Sequence, residues 1–434
     1  MNIGIDISSL QGAHRMRGIG YTLINFINNI PAAERRNNRY VFYALPFDKD
    51  QADNPLSLLD LKNMEYEVRY LKRRSRSSRT LPGKLYLLVS VYNQLVELRD
   101  QYLGDSRIKD FRGVDVFLQT DQSQSLPRKR RVKKALIVYD IIPFVLEWDY
   151  LWSYSTARTR GFSRKAAFRC QTRRWLYAHK LRVCVKQADL LLAISEVTKH
   201  DFVRAMGAAE SKIVVTPLGV SLPKKKSDQR IAFRRYTATS WGYVPYDFEL
   251  DPDVPFILFV GGADRRRKLE DLVAAFNNLR AQGVNVKLVL TGDSMKGPEN
   301  IATEEVQSAL KQSSYLDDII FMGFVDDAAR NWLYEHALAF VFPSRYEGFG
   351  LPVLEAMVHG CLVVSYKNEA TLEVAGEAPI YADNAEGLRL SLLELISTSG
   401  RALEDMRQIS FNQAKKYDWS TTSKKILSEL AKLT

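Results

Sequence analysis

The stretch "FPSRYEGFGLPVLEAMVHGCLVV", residues 342–364, joins a strand-like apolar run to a helix-like run through a loop that contains two glycines. Glu347 lies in this loop, and we expect Glu355 in the first turn of the following helix. Pro352 suits the start of a helix, where its missing N–H costs nothing. Because a helix N-terminus after a glycine loop attracts anions, the stretch predicts a phosphate-binding site at the carboxyl end of a strand.

Strands and helices alternate on both sides of this stretch. Short runs rich in Val, Ile and Leu, typical of buried parallel strands, form two successive series. The first series occupies 40–45, 114–119, 134–140, 188–195 and 212–218, and the second occupies 255–262, 286–292, 319–325, 338–344 and 361–366. A chain of 434 residues is long enough for two cores. The pattern therefore predicts an α/β protein with two doubly wound domains, each built on a parallel sheet.

The loss of this alternation indicates the domain boundaries. We expect a first domain at 1–225, a linker at 226–254 where Pro, charge and aromatic residues gather, and a second domain at 255–415. Residues 416–434 have apolar side chains at helical spacing and predict a closing helix. The segment 50–112 is the least readable part of the sequence.

The net charge of +12 is carried partly by basic clusters at 71–79, 127–134, 224–226 and 264–268. A solvated basic surface is the simplest interpretation. An anionic membrane surface would also attract clustered Lys and Arg, which suits an enzyme that acts on a lipid-anchored or acidic acceptor. The clusters lack the aromatic residues and recognition patterns of nucleic-acid-binding proteins, so we expect no nucleic-acid partner.

Cysteine usage and hydropathy point to the cytoplasm. The three cysteines are far apart and have no metal-ligand spacing, which argues against a disulfide framework and a zinc site. The chain opens on a strand-like run without a signal-peptide pattern, and no apolar run reaches the ~18 to 20 residues of a membrane-spanning helix. We expect a cytoplasmic protein, with peripheral contact at the inner membrane face.

The motif around Glu347 and Glu355, with seven residues between the two glutamates, resembles the signature of the retaining glycosyltransferases of family 4, a group 1 family with the GT-B fold. The segment 257–276, "ILFVGGADRRRKLEDLVAAF", is similar to the first strand, loop and helix of that family's donor domain. Residues 4–27 and 136–144 resemble segments of its first domain. The resemblance covers most of the chain except about 50–112 and the linker.

This resemblance implies two Rossmann-like domains whose sheets face each other across a cleft, with residues 416–434 returning toward the first domain. It implies transfer of a hexose from a nucleotide diphosphate sugar, with retention and without a metal or other cofactor. The mannosyltransferase members are the most similar, so the leading donor is GDP-mannose and the expected acceptor is a cell-surface or lipid-linked glycan. UDP-glucose or another UDP-sugar, a nucleotide-sugar epimerase, and a non-catalytic nucleotide-sugar-binding protein remain alternatives.

The resemblance also assigns roles to residues of the second domain. Glu347 would contact the donor sugar near the reacting centre, and Glu355 would bind the ribose. The family's Arg falls on Arg266 and its usual Lys on Arg267 if the alignment has no gap, but Lys268 stands one place later and competes for that role. The implied donor-binding set is Gly18, Gly20, Arg266, Arg267, Lys268, Gly348, Phe349, Gly350, Leu351 and Glu355.

The first domain contributes two further candidates. Many family members have His-Asp where this chain has Tyr139 and Asp140. A tyrosine hydroxyl can donate a hydrogen bond but carries no charge at neutral pH. Gly18 and Gly20 would let a loop after the first strand approach the donor. The implied catalytic set is Glu347, Asp140, Tyr139 and Arg267, with no metal ligands.

Overall fold

The computed structural model describes residues 1–12, 15, 18–48, 54–72, 99–100, 102–105, 107–108, 110–127, 131–223, 232–239, 242–250 and 254–434, with the backbone alone at 232–239 and 242–249. The chain divides into two compact units. Unit 1 consists of Met1–Gly219 together with Trp419–Thr434, and unit 2 is Val220–Asp418.

Unit 1 is built on a parallel sheet, which has seven strands among the described residues. The strands are β1 (Asn2–Asp6), β2 (Arg39–Ala44), β3 (Glu65–Tyr70), β4 (Val116–Gln119), β5 (Lys133–Val138), β6 (Leu190–Ala193) and β7 (Ile213–Val215). Their order across the sheet is β3-β2-β1-β4-β5-β6-β7. The central strands are almost wholly buried because helices cover the sheet.

Helices follow most of these strands. They are α1 (Gly18–Asn28), α2 (Ala32–Asn37), α3 (Ile142–Val145), α4 (Tyr154–Thr159), α5 (Arg164–Gln187) and α6 (Glu196–Met206). Leu181 and Val185 of α5 and Phe202 of α6 pack on β5 and β6 and form one core cluster with them. Removal of these apolar side chains from water is the main force that holds the helices on the sheet.

Unit 2 has a six-stranded parallel sheet and a separate antiparallel pair. The strands are β8 (Ala232–Thr239), β9 (Gly242–Glu249), β10 (Phe256–Val260), β11 (Lys287–Thr291), β12 (Ile319–Gly323), β13 (Ala339–Phe342), β14 (Val363–Tyr366) and β15 (Ile380–Ala382). The helices are α7 (Leu269–Ala281), α8 (Glu304–Lys311), α9 (Asp327–His336), α10 (Leu351–Val358), α11 (Glu369–Ala375), α12 (Ala385–Ser397) and α13 (Arg401–Ala414). The main sheet runs β12-β11-β10-β13-β14-β15.

Both sheets reverse their strand order at one point. In unit 1 the reversal lies between β1 and β4, and in unit 2 it lies between β10 and β13. In doubly wound sheets the loops that leave the carboxyl ends of two such strands diverge and open a crevice for ligands. The loops after β10 and β13 therefore mark the place in unit 2 where a ligand site is expected.

The last helix, α14 (Trp419–Ala431), belongs to unit 1. Ser423 Oγ donates to Phe26 O at 2.8 Å, and Thr422 Oγ1 donates to Pro217 O at 2.7 Å. The Trp419 ring is buried and meets the Tyr21 ring edge-on, with 6.3 Å between centroids. This helix therefore completes the packing around α1.

The prediction of two doubly wound parallel α/β domains is confirmed, and every strand of the two predicted series is present. The range 226–254, expected to be a linker, contains β8 and β9. Its Tyr, Phe, Thr and Val residues favour strands, but its charges and prolines hid the pattern. Of the predicted basic clusters, 224–226 lies outside the described residues, and 71–79 and 127–134 lie only partly within them.

The cysteines are free thiols, and burial raises the pKa of Cys184 to about 11 and that of Cys361 to about 12. Within the described part of the chain, each helix is too short or too polar to cross a membrane.

Candidate functional site

Strands β10 and β13 are neighbours, so their carboxyl ends deliver two loops to the same edge of the unit 2 sheet. The loop after β10 contains the short 3-10 helix Arg265–Arg267, and the loop after β13 covers residues 343–350. The N–H of Arg345 donates to the carbonyl of Arg266 at 2.9 Å and ties the loops together. This hydrogen bond brings the arginine loop after β10 and the Glu347 loop after β13 into one site.

The Glu347 carboxylate is the centre of this site. It is buried, and its Oε1 accepts hydrogen bonds from Arg266 Nη1 and, at 3.0 Å, from Ser344 Oγ. Arg267 Nε lies 3.5 Å from the same oxygen. Two guanidinium groups thus share one carboxylate, and these three side chains carry a net positive charge where the sheet opens.

Arg267 reaches this position because Gly261 leaves room for its guanidinium group, while Gly292 leaves room for the Gly261 carbonyl. A Cβ at Gly261 would lie 1.8 Å from Arg267 Nη1, and one at Gly292 would lie 2.2 Å from Gly261 O. Gly261 also has a φ of +141°, which side chains rarely tolerate. Burial, followed by the neighbouring charge of Arg266, lowers the pKa of Arg267 below its ordinary value. An arginine nevertheless stays cationic at neutral pH.

Lys268 has a different environment. Its backbone is left-handed, with a φ of +41°, at the residue before α7. Its Nζ pairs with Glu270 Oε1 at 2.9 Å. The structure therefore brings Arg266 and Arg267 to Glu347, while Lys268 pairs within the first turn of α7. This geometry favours Arg267 for the role that the sequence left open.

The glycine loop ends where α10 begins. Gly350 has a φ of +107° and precedes the first helical residue, Leu351, while Gly348 is buried in the loop. Phe349 is buried against the Tyr417 ring, with 5.8 Å between centroids. Pro352 has no N–H, and the N–H of Val353 donates to the Gly350 carbonyl at 2.9 Å, so the start of α10 mainly offers the partial positive charge of the helix beside Glu347.

Glu355 was expected in the first turn of α10, and this expectation is wrong. The helix begins at Leu351, so Glu355 is its fifth residue and lies in the second turn. The carboxylate is buried. Its Oε2 accepts from the Tyr334 hydroxyl at 3.4 Å, and its Oε1 lies 3.8 Å from Arg330 Nη2. Both partners come from α9, which was not identified as part of the site from the sequence.

Residues 254–398 match the family described as "Glycosyl transferases group 1". They form a group 1 glycosyltransferase domain. Two relatives from Escherichia coli are similar to the chain. O-antigen chain mannosyltransferase B is 27% identical over 55% of this chain and 59% of its own length, and the serotype-specific mannosyltransferase WbdA is 23% identical over 98% of this chain and 47% of its own length. The chain thus spans about half the length of these relatives.

A solved structure of HepE from Anabaena in complex with UDP-glucose resembles the whole chain. The TM-score is 0.58 and the identity is 14%, with 100% of each chain covered. A likeness at this level of identity concerns the fold alone. Together with the two parallel sheets it confirms the predicted GT-B fold class.

Tyr139 forms hydrogen bonds with residues of its own unit, unit 1. Its hydroxyl donates to Thr120 O at 2.9 Å, its N–H donates to Gln122 Oε1 at 2.7 Å, and its carbonyl accepts from Thr198 Oγ1 at 2.7 Å. Burial raises the pKa of Tyr139 well above the ordinary value. These bonds favour a packing role for the residue that replaces the family's histidine.

Asp140 stabilises a turn. Its Oδ1 accepts from the N–H of Ile142 at 3.0 Å, and its carbonyl accepts from Gln122 Nε2 at 2.6 Å. The side chain thereby fixes the entry into α3. A catalytic role for Asp140 remains a proposal that rests on the family resemblance.

Gly18 and Gly20 were expected in a loop after β1. The structure places both in the first turn of α1, with Gly18 exposed and Gly20 buried. The apolar run that follows them, "YTLINFI", has helical spacing and extends the helix back through the glycines. Their loop role is therefore wrong, and only a close approach of the helix start to a ligand remains as a proposal.

The sequence reading missed a buried polar group at the reversal point of the unit 1 sheet. Asp6 Oδ2 accepts from Gln119 Nε2 at 2.9 Å, and Asp6 Oδ1 accepts from the N–H of Ser8 at 2.8 Å. Burial raises the pKa of Asp6 above its ordinary value. The sequence signal for this group was a polar residue at the end of two apolar runs, Asp6 after NIGI and Gln119 after VDVFL. In the part of the chain that the structure describes, no group of His, Cys, Asp and Glu is arranged to hold a metal ion.

The partners of Glu355 lead to a prediction about nucleotide affinity. If Glu355 accepts hydrogen bonds from the ribose, Glu355→Gln should weaken GDP binding roughly tenfold to 150-fold, since a bond to a charged group contributes roughly 1.5 to 3 kcal/mol. Tyr334→Phe should weaken it less, because Arg330 still holds the carboxylate. Calorimetric titration with GDP measures both effects. An unchanged Kd in Glu355→Gln would remove this residue from the nucleotide site.

Proposed function

We propose that this chain is a retaining hexosyltransferase that moves mannose from GDP-mannose to a growing cell-surface or lipid-linked glycan. The observation that carries the proposal is the convergence of Arg266 and Arg267 on Glu347, at the reversal point of the unit 2 sheet and beside the start of α10. The names of the two Escherichia coli relatives support mannose as the sugar. The domain match at residues 254–398 supports sugar transfer as the reaction.

The two arginines would bind the diphosphate of the donor. In the transfer, the bond between the anomeric carbon and the diphosphate oxygen breaks, and the electron pair stays with that oxygen. Guanidinium groups and helix N–H groups that are fixed in advance stabilise such a developing charge strongly in a partly dry site. Arg266 and Arg267 are held by Glu347 and by packing, so they need little rearrangement.

Glu347 would lie against the donor sugar. Ser344 and the two arginines fix its carboxylate, which can accept hydrogen bonds from sugar hydroxyls or stabilise positive charge near the anomeric carbon. The acceptor hydroxyl oxygen then forms the new bond to that carbon on the face that preserves its configuration. The hydroxyl proton passes to the departing diphosphate oxygen, which lies on the same face of the sugar, and the family resemblance supports this retention.

We propose that the reaction needs no metal or other cofactor, because the two arginines supply positive charge at the diphosphate. We also propose that the chain works in the cytoplasm, at the inner membrane face, where a lipid-linked acceptor would be found.

A donor panel tests this function. The full chain is incubated with GDP-mannose, UDP-glucose or UDP-galactose and with octyl α-mannoside as an acceptor. Nucleotide release and the product are followed by chromatography, and the anomeric configuration is read by NMR. We expect an α-linked product from GDP-mannose, at the same rate with and without excess EDTA, since guanidinium groups replace the metal.

Each alternative gives a different result in this panel. Transfer from UDP-glucose but not from GDP-mannose would mean that UDP-glucose is the donor. A strict requirement for Mn²⁺ or Mg²⁺ would contradict metal independence. Conversion of the donor to its epimer without acceptor would indicate an epimerase. Tight nucleotide binding without turnover would indicate a non-catalytic binding protein.

A further inference from the structure

Helix α5 of unit 1 exposes large aromatic side chains. Its inner side, which includes Ala178 and Leu181, packs on the sheet, but Phe168 is 66% exposed and Trp175 is 49% exposed. Residues seven apart in a helix lie on the same side, two turns from each other. These two rings therefore form one stripe along the helix and do not point in different directions.

Neighbouring residues extend this stripe. The Trp175 ring stacks on the His179 ring, with 4.7 Å between centroids, and the centroid of the Tyr102 ring lies 5.4 Å from that of His179. Tyr102 and Leu103 are 53% and 48% exposed. We call Tyr102, Leu103, Phe168, Trp175 and His179 the aromatic patch. An exposed group of this kind on a globular unit marks a contact surface more often than it marks an accident of packing.

A row of positive charge runs beside the patch. Lys165, Arg169 and Arg173 follow each other at four-residue spacing and are exposed. We call them the basic row. The surrounding segment 142–187 contains ten Lys and Arg residues but only two acidic ones. The aromatic patch thus lies within a strongly positive part of unit 1.

The combination fits one type of partner best. Tryptophan and tyrosine rings favour the boundary between lipid headgroups and hydrocarbon, and Lys and Arg beside them are attracted to anionic headgroups. The centres of protein interfaces are poor in charge and especially in lysine. Single-stranded nucleic acid is held along grooves, whereas Phe168, Trp175 and the basic row lie on the outer side of one helix.

We propose that the aromatic patch and the basic row form a docking surface for an anionic phospholipid bilayer. The rings enter the headgroup layer while Lys165, Arg169 and Arg173 meet the phosphates. The surface consists of unit 1 residues and lies outside the site in unit 2. The inference does not rest on the proposed function, because binding to a bilayer needs no turnover.

Vesicle co-sedimentation of the full chain tests this surface. Vesicles of phosphatidylcholine alone are compared with vesicles in which phosphatidylglycerol replaces about a third of the lipid. We expect binding to the anionic vesicles only, with a decrease as the salt concentration rises and screens the charges. Phe168→Ala combined with Trp175→Ala, and Arg169→Glu combined with Arg173→Glu, should each weaken binding at least about tenfold.

Matched controls distinguish binding through this surface from nonspecific binding of the protein to vesicles. Lys424→Glu combined with Lys425→Glu reverses two exposed charges on α14 of the same unit, and Phe324→Ala removes a ring that is 50% exposed in unit 2. Both controls should bind vesicles like the wild type, and circular dichroism checks that all variants are folded. Equal loss in the controls and the patch variants would overturn the proposal. So would wild-type binding in the patch variants, tighter binding of a single-stranded oligonucleotide through the same residues, or a dimer that the patch variants dissociate.

Discussion

Glu347→Gln is expected to lower kcat by about 10² to 10³-fold, the range found when one fixed electrostatic group is removed from an active site. The amide can still bond with Ser344, but it removes the negative charge that would face the donor sugar. The affinity for GDP should stay close to that of the wild type, because both arginines remain. Steady-state kinetics with GDP-mannose and titration with GDP separate the two quantities.

The same variant should also change stability in a characteristic way. Without the carboxylate, Arg266 and Arg267 are two buried cations without their shared counter-ion, and loss of one partner of a buried pair costs about 3 to 5 kcal/mol. Added GDP should raise the melting temperatures of Glu347→Gln and of the wild type by similar amounts, because ligand stabilisation depends on Kd and the Kd for GDP is expected to be unchanged. Glu305→Gln is the control, since Glu305 pairs with Arg265 at 3.5 Å on the surface. Normal turnover in Glu347→Gln would show that the assigned role is wrong.

Arg267→Ala should lower kcat/KM about tenfold to 150-fold, since a charge-assisted hydrogen bond in a partly dry site is worth roughly 1.5 to 3 kcal/mol. Lys268→Ala should change it less than about threefold, because Lys268 pairs with Glu270 and not with Glu347. Both variants should melt near the wild-type temperature, since Glu347 keeps Arg266 as a partner. Kinetics with a fixed acceptor and varied GDP-mannose measure the difference.

Arg265→Ala provides the matched control within the same loop. Arg265 is the most exposed of the three arginines and pairs with Glu305, so its loss should leave kcat/KM unchanged. A severe defect in Lys268→Ala alone would mean that the gap-free alignment is shifted by one residue. If neither Arg267 nor Lys268 matters, the cluster is only surface charge.

Burial explains which strands were readable from the sequence. β10, β11 and β13 are covered on both faces, so their sequences are nearly continuous apolar runs. β3, in contrast, has the sequence EYEVRY, in which polar and apolar residues alternate and which is largely exposed, so it lacks the continuous apolar run typical of a buried parallel strand. β15 has only three residues, which is too short for any periodic signal.

The sequence predicted which loops form the candidate site, because these loops follow the strand, loop and helix pattern, but it did not predict how their side chains pair. Glu347 and the arginines could be located because the loops after the two strands at a reversal point flank one crevice. The choice between Arg267 and Lys268 depends on a left-handed φ at Lys268 and on the space above Gly261, and neither is visible in residue types alone. The bond between Tyr334 and Glu355 joins two helices and has no local sequence signal.

The docking of α14 on unit 1 has a consequence for the order in which the chain folds. Unit 2 is inserted between Gly219 and Trp419, so a ribosome finishes unit 2 while α1 still lacks the helix that covers it. The Phe26 carbonyl and the Tyr21 ring gain their α14 partners only when residues 419–431 emerge. Domains generally fold as units during synthesis. We therefore expect unit 2 to complete its folding first. The apolar surface of α1 in unit 1 stays uncovered until α14 has been synthesised.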